Sequence, residues 1–305
     1  MITFSTHEDY QRHVGDLDAW WPHAEAVLDR HGLHADGPPS AAGGGSYPTI
    51  LAGDLVVKFY GHAGQWRQAH ATELRAYALL ATDPAIAAPR LLASGGLGDD
   101  WAYLVISRVT GRTWAEAKMP PDLLRAAATD LGAHIARVHA LRPGPDIARV
   151  TDLPALDFTP AHARSALPKR FVAQAAEFVT AVGPDDPAFG NGDLFEGNIL
   201  VDHGRVTGLI DWGDALVIDR HNELAKIHLS TFRCDKDLLR AFLDGSNWPA
   251  GKDFARRAMA MALVRQAVGV GQHGGGFDNF YLIPGLPGLD DIGTLDELAE
   301  AVFGV

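Results

Sequence analysis

The feature that most constrains the fold of this chain is a change of character near Gly111. Before this point, short segments with the composition of β-strands are separated by turns and by helical stretches. After it, long Ala- and Leu-rich helical stretches dominate, with one compact β-like block between them. A chain of 305 residues is long enough for two such parts, each with its own core. The sequence therefore predicts an α+β fold, with a small β-sheet lobe followed by a larger, mainly helical lobe.

The amino-terminal part contains most of the predicted strands. Helix is expected over the first thirty residues and over residues 65–81, and a Gly-, Pro- and Ser-rich stretch over 37–48 interrupts regular structure. The predicted strands are residues 49–51, 55–60, 90–93 and 101–107.

The carboxy-terminal part is predicted to be helical around a single hairpin. Helices are expected at residues 121–141, 160–182, 238–243 and 252–270, and strands at 198–202 and 206–210. We place an amino-terminal, nucleotide-binding lobe at 1–106 and a catalytic lobe at 107–305, with a hinge at 107–111. Two lobes joined by a hinge imply a cleft, where ligands bind preferentially.

Charge and composition narrow the classes of partner. A net charge of −12 argues against nucleic-acid binding, which needs Lys and Arg to neutralise phosphates. The same charge suits a cationic small molecule, although mild acidity is also common among cytoplasmic proteins. The first residues do not resemble a signal peptide, and no apolar run approaches the ~18 residues of a membrane span. We therefore expect a cytoplasmic protein, a monomer or a weak dimer, with neither a membrane nor a nucleic-acid partner.

The most informative segment runs from Asn191 to Trp212. Phosphoryl transfer needs a carboxylate that orients the attacking hydroxyl, together with oxygen ligands that hold Mg²⁺ against the phosphates. Asp193 and Asn198 have the Asp-x₄-Asn spacing of a kinase catalytic loop, which here covers residues 191–198. Asp211 ends the next strand of the hairpin. We predict Asp193 as the catalytic base and Asn198 and Asp211 as metal ligands, although each residue type alone is also common in turns.

The amino-terminal lobe is predicted to bind the nucleotide. Lys58 interrupts the apolar run of residues 55–60, where a charge is best explained if it binds phosphates and pairs with Glu73 on the next helix. An exposed edge-strand lysine is the alternative. The glycine-rich loop that ends at Ser46 could cover phosphates with its backbone N–H groups, or could be a flexible linker.

These residues resemble the aminoglycoside phosphotransferase and choline-kinase-like superfamily, which shares the protein-kinase fold. The resemblance runs from about residue 20 to the end and includes residues 56–59, 73–77, 103–114 and the 191–212 segment. Within the superfamily, residues 227–233, 243–248 and 253–255 are similar to the hygromycin B phosphotransferases of actinomycetes.

The resemblance implies further roles. ATP, or alternatively GTP, and Mg²⁺ are the expected cofactors, and the backbone of Ser107 and Val109 is expected to bind the adenine edge. Asp219 is expected to support the catalytic loop rather than to react. The acceptor is expected to carry a hydroxyl and amino groups, as a hygromycin-type antibiotic does. Acidic residues near the base commonly hold such amines. We nominate Glu196, Asp214 and Asp278 for that role, although a solvated surface role explains each equally well.

One departure keeps alternatives open. The family usually has His at the positions of Asn191 and Phe195. Asn191 could replace the first His by hydrogen bonding. Three hypotheses remain: an antibiotic O-phosphotransferase for resistance or self-protection, a metabolic kinase of a sugar, amino sugar or amino alcohol, and a non-catalytic nucleotide-binding relative.

Overall fold

The computed structural model describes residues 4–62, 64–150, 156–159, 165–184, 186–267 and 280–305. The chain divides into two compact units. The first, here called the sheet unit, comprises Met1–Thr82 and Ala88–Thr110. The second, the helical unit, comprises Asp83–Ala87 and Gly111–Val305.

The sheet unit is built on five antiparallel strands in the order β1-β2-β3-β5-β4. The strands are β1 (Pro39–Ala41), β2 (Thr49–Ala52), β3 (Leu55–Gly61), β4 (Leu91–Gly96) and β5 (Trp101–Ser107). All residues of β3 are buried, which is typical of a strand paired on both sides and covered on both faces. The four predicted strands are confirmed. The edge strand β1 was not predicted, because it falls in the Gly- and Pro-rich stretch.

Three helices accompany this sheet: α1 (His7–His13), α2 (Leu17–Arg30) and α3 (Trp66–Leu80). The predicted helix of the first thirty residues is two helices, since the Asp16 side chain accepts from the Ala19 N–H and begins a new one. The aromatic ring of Trp20 on α2 packs on Phe59 and Trp101, with ring centroids 5.2 and 5.1 Å apart. These contacts join α2 to the centre of the sheet.

The helical unit contains seven α-helices among its described residues. They are α4 (Pro121–Ala140), α5 (Lys169–Val172), α6 (Ala175–Val182), α7 (Leu224–Lys226), α8 (Lys236–Ser246), α9 (Phe254–Val264) and α10 (Leu295–Phe303). Helices α4 and α8 pack along each other, and α9 packs on α6 and α10. Gly132 allows α4 and α8 to pack closely, because a Cβ at this position would collide with the Phe242 carbonyl oxygen.

Two small sheets in the helical unit hold the segment of greatest interest. Strands β6 (Arg112–Thr113), β8 (Ile199–Asp202) and β9 (Arg205–Leu209) form one sheet in the order β6-β8-β9. Strands β7 (Pro187–Gly190) and β10 (Leu216–Asp219) form an antiparallel pair. Residues 191–198 therefore connect β7 to β8, and Asp211 lies between β9 and β10. The predicted hairpin is confirmed.

The single helix predicted over residues 160–182 is wrong. Residues 160–164 lie outside the described residues, residues 165–168 are not helical, α5 begins after Pro168, and α6 follows as a separate helix. Proline lacks an N–H and disfavours helix in the residue before it, so Pro168 begins a helix rather than continuing one. The helix predicted over 252–270 is α9, and residues 268–270 lie outside the described residues. Within the described ranges, no helix has the length and hydropathy of a membrane span.

Candidate active site

The loop from Asn191 to Asn198 starts with a sharp turn. Gly192 has φ +82°, and a side chain at this position would collide with the Asp214 carbonyl oxygen. Only glycine combines this backbone conformation with such a close approach. The turn brings the loop against the backbone that follows Asp211, so that the two parts of the predicted site lie on adjoining segments.

Asn191 connects these two segments directly. Its side chain is fully buried, and Oδ1 accepts a hydrogen bond from the Asp193 backbone N–H at 3.0 Å. Its Nδ2 donates to the backbone oxygens of Ile210, at 3.3 Å, and Asp211, at 3.0 Å. The hydrogen bonding predicted for Asn191 as a replacement for histidine is present.

The two predicted metal ligands are fixed by their surroundings. Asn198 is buried and donates its Nδ2–H to the Asp193 backbone oxygen at 2.9 Å, so its amide oxygen remains as the potential ligand. Asp211 is exposed and has φ +57°, a left-handed conformation that Asp tolerates better than most residues. The next residue, Trp212, is fully buried and donates to the Leu209 backbone oxygen at 2.9 Å, which anchors this turn.

The Asp193 carboxylate forms ion pairs with two cationic side chains. Lys226 Nζ lies 2.9 Å from Asp193 Oδ1, and Arg265 Nη2 lies 3.5 Å from the same oxygen. Burial is the largest cause of a lowered pKa of the Lys226 ammonium, followed by the charge of Arg265, and Asp193 opposes both. The predicted base therefore contacts two cationic side chains through one carboxylate oxygen.

Glu223 supports the start of the loop through a hydrogen bond to Gly192. It is buried, and Oε1 accepts a hydrogen bond from the Gly192 N–H at 3.3 Å. Burial raises the pKa of its carboxyl, while the Gly192 N–H and the Arg265 guanidinium act in the opposite direction. Asp219, expected to support this loop, is buried, where it is hydrogen-bonded to His221 Nδ1 at 2.7 Å and forms an ion pair with Arg257.

In the sheet unit, the predicted pairing of Lys58 with Glu73 is present. Lys58 Nζ on β3 donates to Glu73 Oε2 on α3 at 2.8 Å, and both side chains are buried. Tyr60 also donates to Glu73 Oε2, and Tyr77 donates to Oε1 at 3.0 Å. These three donors fix the position of the carboxylate and, with it, the position of the lysine.

The glycine-rich loop is the connection between β1 and β2, the strands that precede the lysine strand β3. Gly44 and Gly45 have φ of +78° and +105°. The backbone oxygen of Ser46 accepts a hydrogen bond from the buried Tyr10 hydroxyl at 2.6 Å. This contact fixes the end of the loop, whereas the Ser46 side chain is exposed.

The predicted adenine contacts, Ser107 and Val109, lie at the end of β5. The Ser107 N–H donates to the Arg90 backbone oxygen at 2.8 Å, so it is already engaged within the sheet unit. The neighbouring Arg108 N–H donates to the Asp54 oxygen at 2.6 Å. The N–H groups of Ser107 and Arg108 are therefore both used by hydrogen bonds within the sheet unit.

The three acidic residues nominated to bind the acceptor differ in their surroundings. Glu196 lies in the same loop as Asp193 and accepts a hydrogen bond from the Ser230 hydroxyl at 2.6 Å. The Tyr281 hydroxyl lies 3.4 Å from Ser230 Oγ, and Tyr281 is exposed. Asp214 is half-buried and close enough to Lys226 to influence its pKa. Asp278 lies outside the described residues.

Lys226, Arg265, Glu223 and Ser230 were not predicted from the sequence. The criterion that identified Lys58, a charge interrupting an apolar run, also applies to Arg265, which follows the apolar run of residues 258–264. Lys226 stands likewise between Leu224-Ala225 and Ile227. Ser230 carries no such signal, because its orientation depends on a π-helical turn over Ile227–Thr231.

Comparison with known proteins identifies the family. Residues 42–261 match the model of the phosphotransferase enzyme family, APH. The chain belongs to this family. It is a phosphotransferase with an alcohol group as acceptor, as the sequence predicted.

Solved structures with the same fold are aminoglycoside phosphotransferases. A GDP complex of aminoglycoside 2′-phosphotransferase-IIIa has a TM-score of 0.67 and 16% identity, covering 92% of this chain and 95% of that chain. A ternary complex of APH(2″)-IIa with streptomycin and ATP has a TM-score of 0.61 and 18% identity, covering 92% and 98%. APH(3″)-Id from Streptomyces rimosus has a TM-score of 0.58 and 21% identity, covering 82% and 98%. The predicted α+β, protein-kinase-like fold is confirmed.

Proposed function

We propose that this chain transfers the γ-phosphoryl group of ATP to a hydroxyl of an aminoglycoside or aminocyclitol antibiotic, of the hygromycin type. The observation that carries the proposal is the loop in which Asp193 and Asn198 are hydrogen-bonded to each other and tied through Asn191 to Asp211. This arrangement combines one carboxylate for the acceptor hydroxyl with two oxygen ligands on adjoining turns. Phosphoryl transfer requires both.

Asp193 would orient the acceptor hydroxyl and accept its proton as the new O–P bond forms and the bond to the leaving ADP oxygen breaks. In the sheet unit, Lys58 would contact the nucleotide phosphates, with Glu73 fixing its ammonium. The glycine-rich loop that ends at Ser46 would cover the phosphates. The Ser107 carbonyl and the Val109 N–H would meet the adenine edge, an acceptor and a donor two residues apart. We therefore assign nucleotide binding mainly to the sheet unit.

The donor set also fits magnesium. Mg²⁺ takes oxygen ligands and is commonly held by one or two protein groups together with substrate phosphates. The Asp211 carboxylate and the Asn198 amide oxygen are such groups, and both residues are fixed by hydrogen bonds to the same loop. When bound there, the ion would neutralise charge on the phosphates.

The acceptor proposal rests on charge and on the relatives. Glu196 and Asp214 place carboxylates beside the proposed base, which suits an amine-bearing acceptor. The protein complexes of similar fold contain kanamycin, gentamicin or streptomycin. Residues 227–233, whose sequence favoured the hygromycin subgroup, include Ser230, the hydrogen-bond partner of Glu196.

The test uses the purified chain and ATP with a panel of acceptors. The panel contains hygromycin B, other aminoglycosides, and sugars, amino sugars and amino alcohols. We expect ATP consumption with a member of the antibiotic group, loss of that activity in Asp193→Asn, and raised resistance in a sensitive bacterium that expresses the chain. Turnover of only a sugar or amino alcohol would favour a metabolic kinase, and no turnover across the panel would contradict the proposal.

A further inference from the structure

We propose that Lys226 and Arg265 are positioning residues that hold one oxygen of Asp193, so that the other oxygen is presented to the acceptor hydroxyl. This proposal rests on the proposed function, because it assigns Asp193 as the base. Both cations lie in the helical unit and belong to segments remote in sequence from the catalytic loop.

The two cations approach the same atom. Lys226 Nζ is 2.9 Å and Arg265 Nη2 is 3.5 Å from Asp193 Oδ1. That oxygen is buried, although 26% of the Asp193 side chain is exposed, and the two cations approach it as ion pairs rather than as aligned hydrogen-bond donors. A carboxylate held by one oxygen cannot rotate freely about its side-chain bonds. Oδ2 is therefore the oxygen that remains to meet a hydroxyl.

Arg265 is itself hydrogen-bonded to the catalytic loop and to Asn222. Arg265 Nη1 donates to the Gly192 backbone oxygen and to Asn222 Oδ1, the latter at 3.3 Å. Asn222 in turn donates to the Met261 backbone oxygen of α9 at 3.3 Å. Arg265 thus joins α9 to the loop at the residue just before Asp193.

Lys226 is held between the base and an aromatic ring. Its Nζ lies 5.6 Å from the centre of the Phe195 ring, which is within the range of a cation–π contact. Phe195 stands where the family usually has histidine, so this chain presents an apolar face to the ammonium. The Lys226 side chain is only 12% exposed. A buried ammonium is costly unless paired, so Lys226 depends on Asp193 as much as Asp193 depends on it.

Both cations approach the same oxygen of Asp193, and Arg265 also acts on the buried Glu223 carboxyl. The expected benefit is geometric, because reactions between positioned groups are sensitive to displacements of about 1 Å, which can cost ~100-fold in rate. Such an effect acts on the transfer step and leaves nucleotide binding unchanged.

The test compares Lys226→Met, Lys226→Arg and the exposed control Lys252→Met in the full chain. Methionine keeps the length of the lysine stem and removes its charge. We expect kcat to fall by about 100-fold in Lys226→Met with less than about threefold change in the KM for ATP. Lys226→Arg should recover most of the loss, and Lys252→Met should match the wild type. A Lys226→Met enzyme with wild-type kcat, or one whose loss is equalled by Lys226→Arg, would overturn the proposal.

A structural measurement tests the same contact even if Lys226→Met folds poorly or no acceptor is turned over. Crystal structures of the wild type should retain the Lys226–Asp193 contact with ATP analogue and Mg²⁺ bound. In Lys226→Met, or in Lys226→Gln if that variant folds better, the Asp193 carboxylate should leave its wild-type orientation. An unchanged carboxylate in the variant, or a wild-type complex in which Lys226 has left Asp193, would refute the positioning role. Absence of turnover in the wild type alone would instead refute the proposed function.

Discussion

Asn191 donates its Nδ2–H to the Asp211 backbone oxygen at 3.0 Å and accepts from the Asp193 N–H at the same distance. One fully buried amide thus sets the spacing between the proposed base and a proposed metal ligand. Asparagine can do this because it offers a donor and an acceptor on one short, planar group. The departure from the usual family histidine therefore preserves hydrogen bonding across this site.

Removing that amide should damage both stability and activity. Asn191→Ala leaves the Asp193 N–H and two backbone oxygens without a buried partner, and each such loss costs about 1–3 kcal/mol. We expect the free energy of unfolding to fall by at least ~2 kcal/mol and kcat to fall by ~10-fold or more. Urea unfolding and steady-state kinetics measure the two effects. Asp202→Ala, on the exposed end of β8, is the control and should change neither quantity appreciably.

The sequence predicted those parts of the site that are encoded locally. Asp193 and Asn198 share one loop, and Asp211 follows the adjoining hairpin, so their spacing alone brought them together. The pairing of Lys58 with Glu73 was also predictable, because a charge in an apolar strand needs a partner and the next helix offered one. In the same way, continuous runs of helix-forming or strand-forming residues were enough to predict α3, α4 and the central strands of the sheet unit.

The remaining features depend on tertiary contacts. Lys226 and Arg265 contact Asp193 although they lie 33 and 72 residues further along the chain. No local pattern encodes that distance. Strand β10 is short, and its pairing with β7 is what defines it. The composition of residues 160–182 favours one continuous helix, but Pro168 interrupts it and α5 begins after this residue.

The buried pair in the sheet unit should show strong energetic coupling. Lys58→Met removes the lysine partner of the buried Glu73 carboxylate, and breaking a buried pair commonly costs about 3–5 kcal/mol. The double variant Lys58→Met/Glu73→Gln removes both charges and should lose less than the sum of the single variants. A double-mutant cycle by urea unfolding should give a coupling energy of about 1–3 kcal/mol. Strict additivity would contradict a stabilising contact between these side chains.

The kinetics of Lys58→Met test whether this lysine also contacts the nucleotide. Lys58→Met should raise the KM for ATP and lower kcat, because the phosphates lose a positioned cation. The exposed Lys169→Met variant should leave both parameters at wild-type values. A wild-type KM and kcat in Lys58→Met would remove this lysine from the nucleotide site.

Asp211→Asn tests the proposed magnesium ligand with little disturbance to the fold. Asparagine also tolerates the left-handed conformation at φ +57°, so the turn should be retained. Loss of the carboxylate charge should raise the Mg²⁺ concentration for half-maximal activity by at least ~10-fold. Activity titrations with MgCl₂ after EDTA treatment measure this value. Asp214→Asn is the neighbouring comparison, and we expect it to change the acceptor KM instead.

The buried His139 should make the fold sensitive to mild acid. Burial, with smaller contributions from Arg220 and His221, lowers the pKa of its imidazole from 6.5 to about 3. Between these values the unfolded chain binds a proton that the folded chain excludes, so stability falls as the pH drops below about 6.5. Its full contribution is present above pH 6.5. Moving from pH 7.5 to 5.5 should cost about 1.4 kcal/mol through this residue.

His139→Leu should remove that part of the pH dependence. The ring lies edge-on to Trp248 at 5.3 Å between centroids, and leucine keeps an apolar side chain at this position. Free energies of unfolding from urea titrations at pH 7.5 and 5.5 should differ by about 1.4 kcal/mol less in the variant than in the wild type. His203→Leu is the control, because the His203 side chain is 91% exposed, and it should retain the wild-type difference. An equal pH dependence in His139→Leu and the wild type would show that the folded chain protonates His139 as readily as the unfolded chain does.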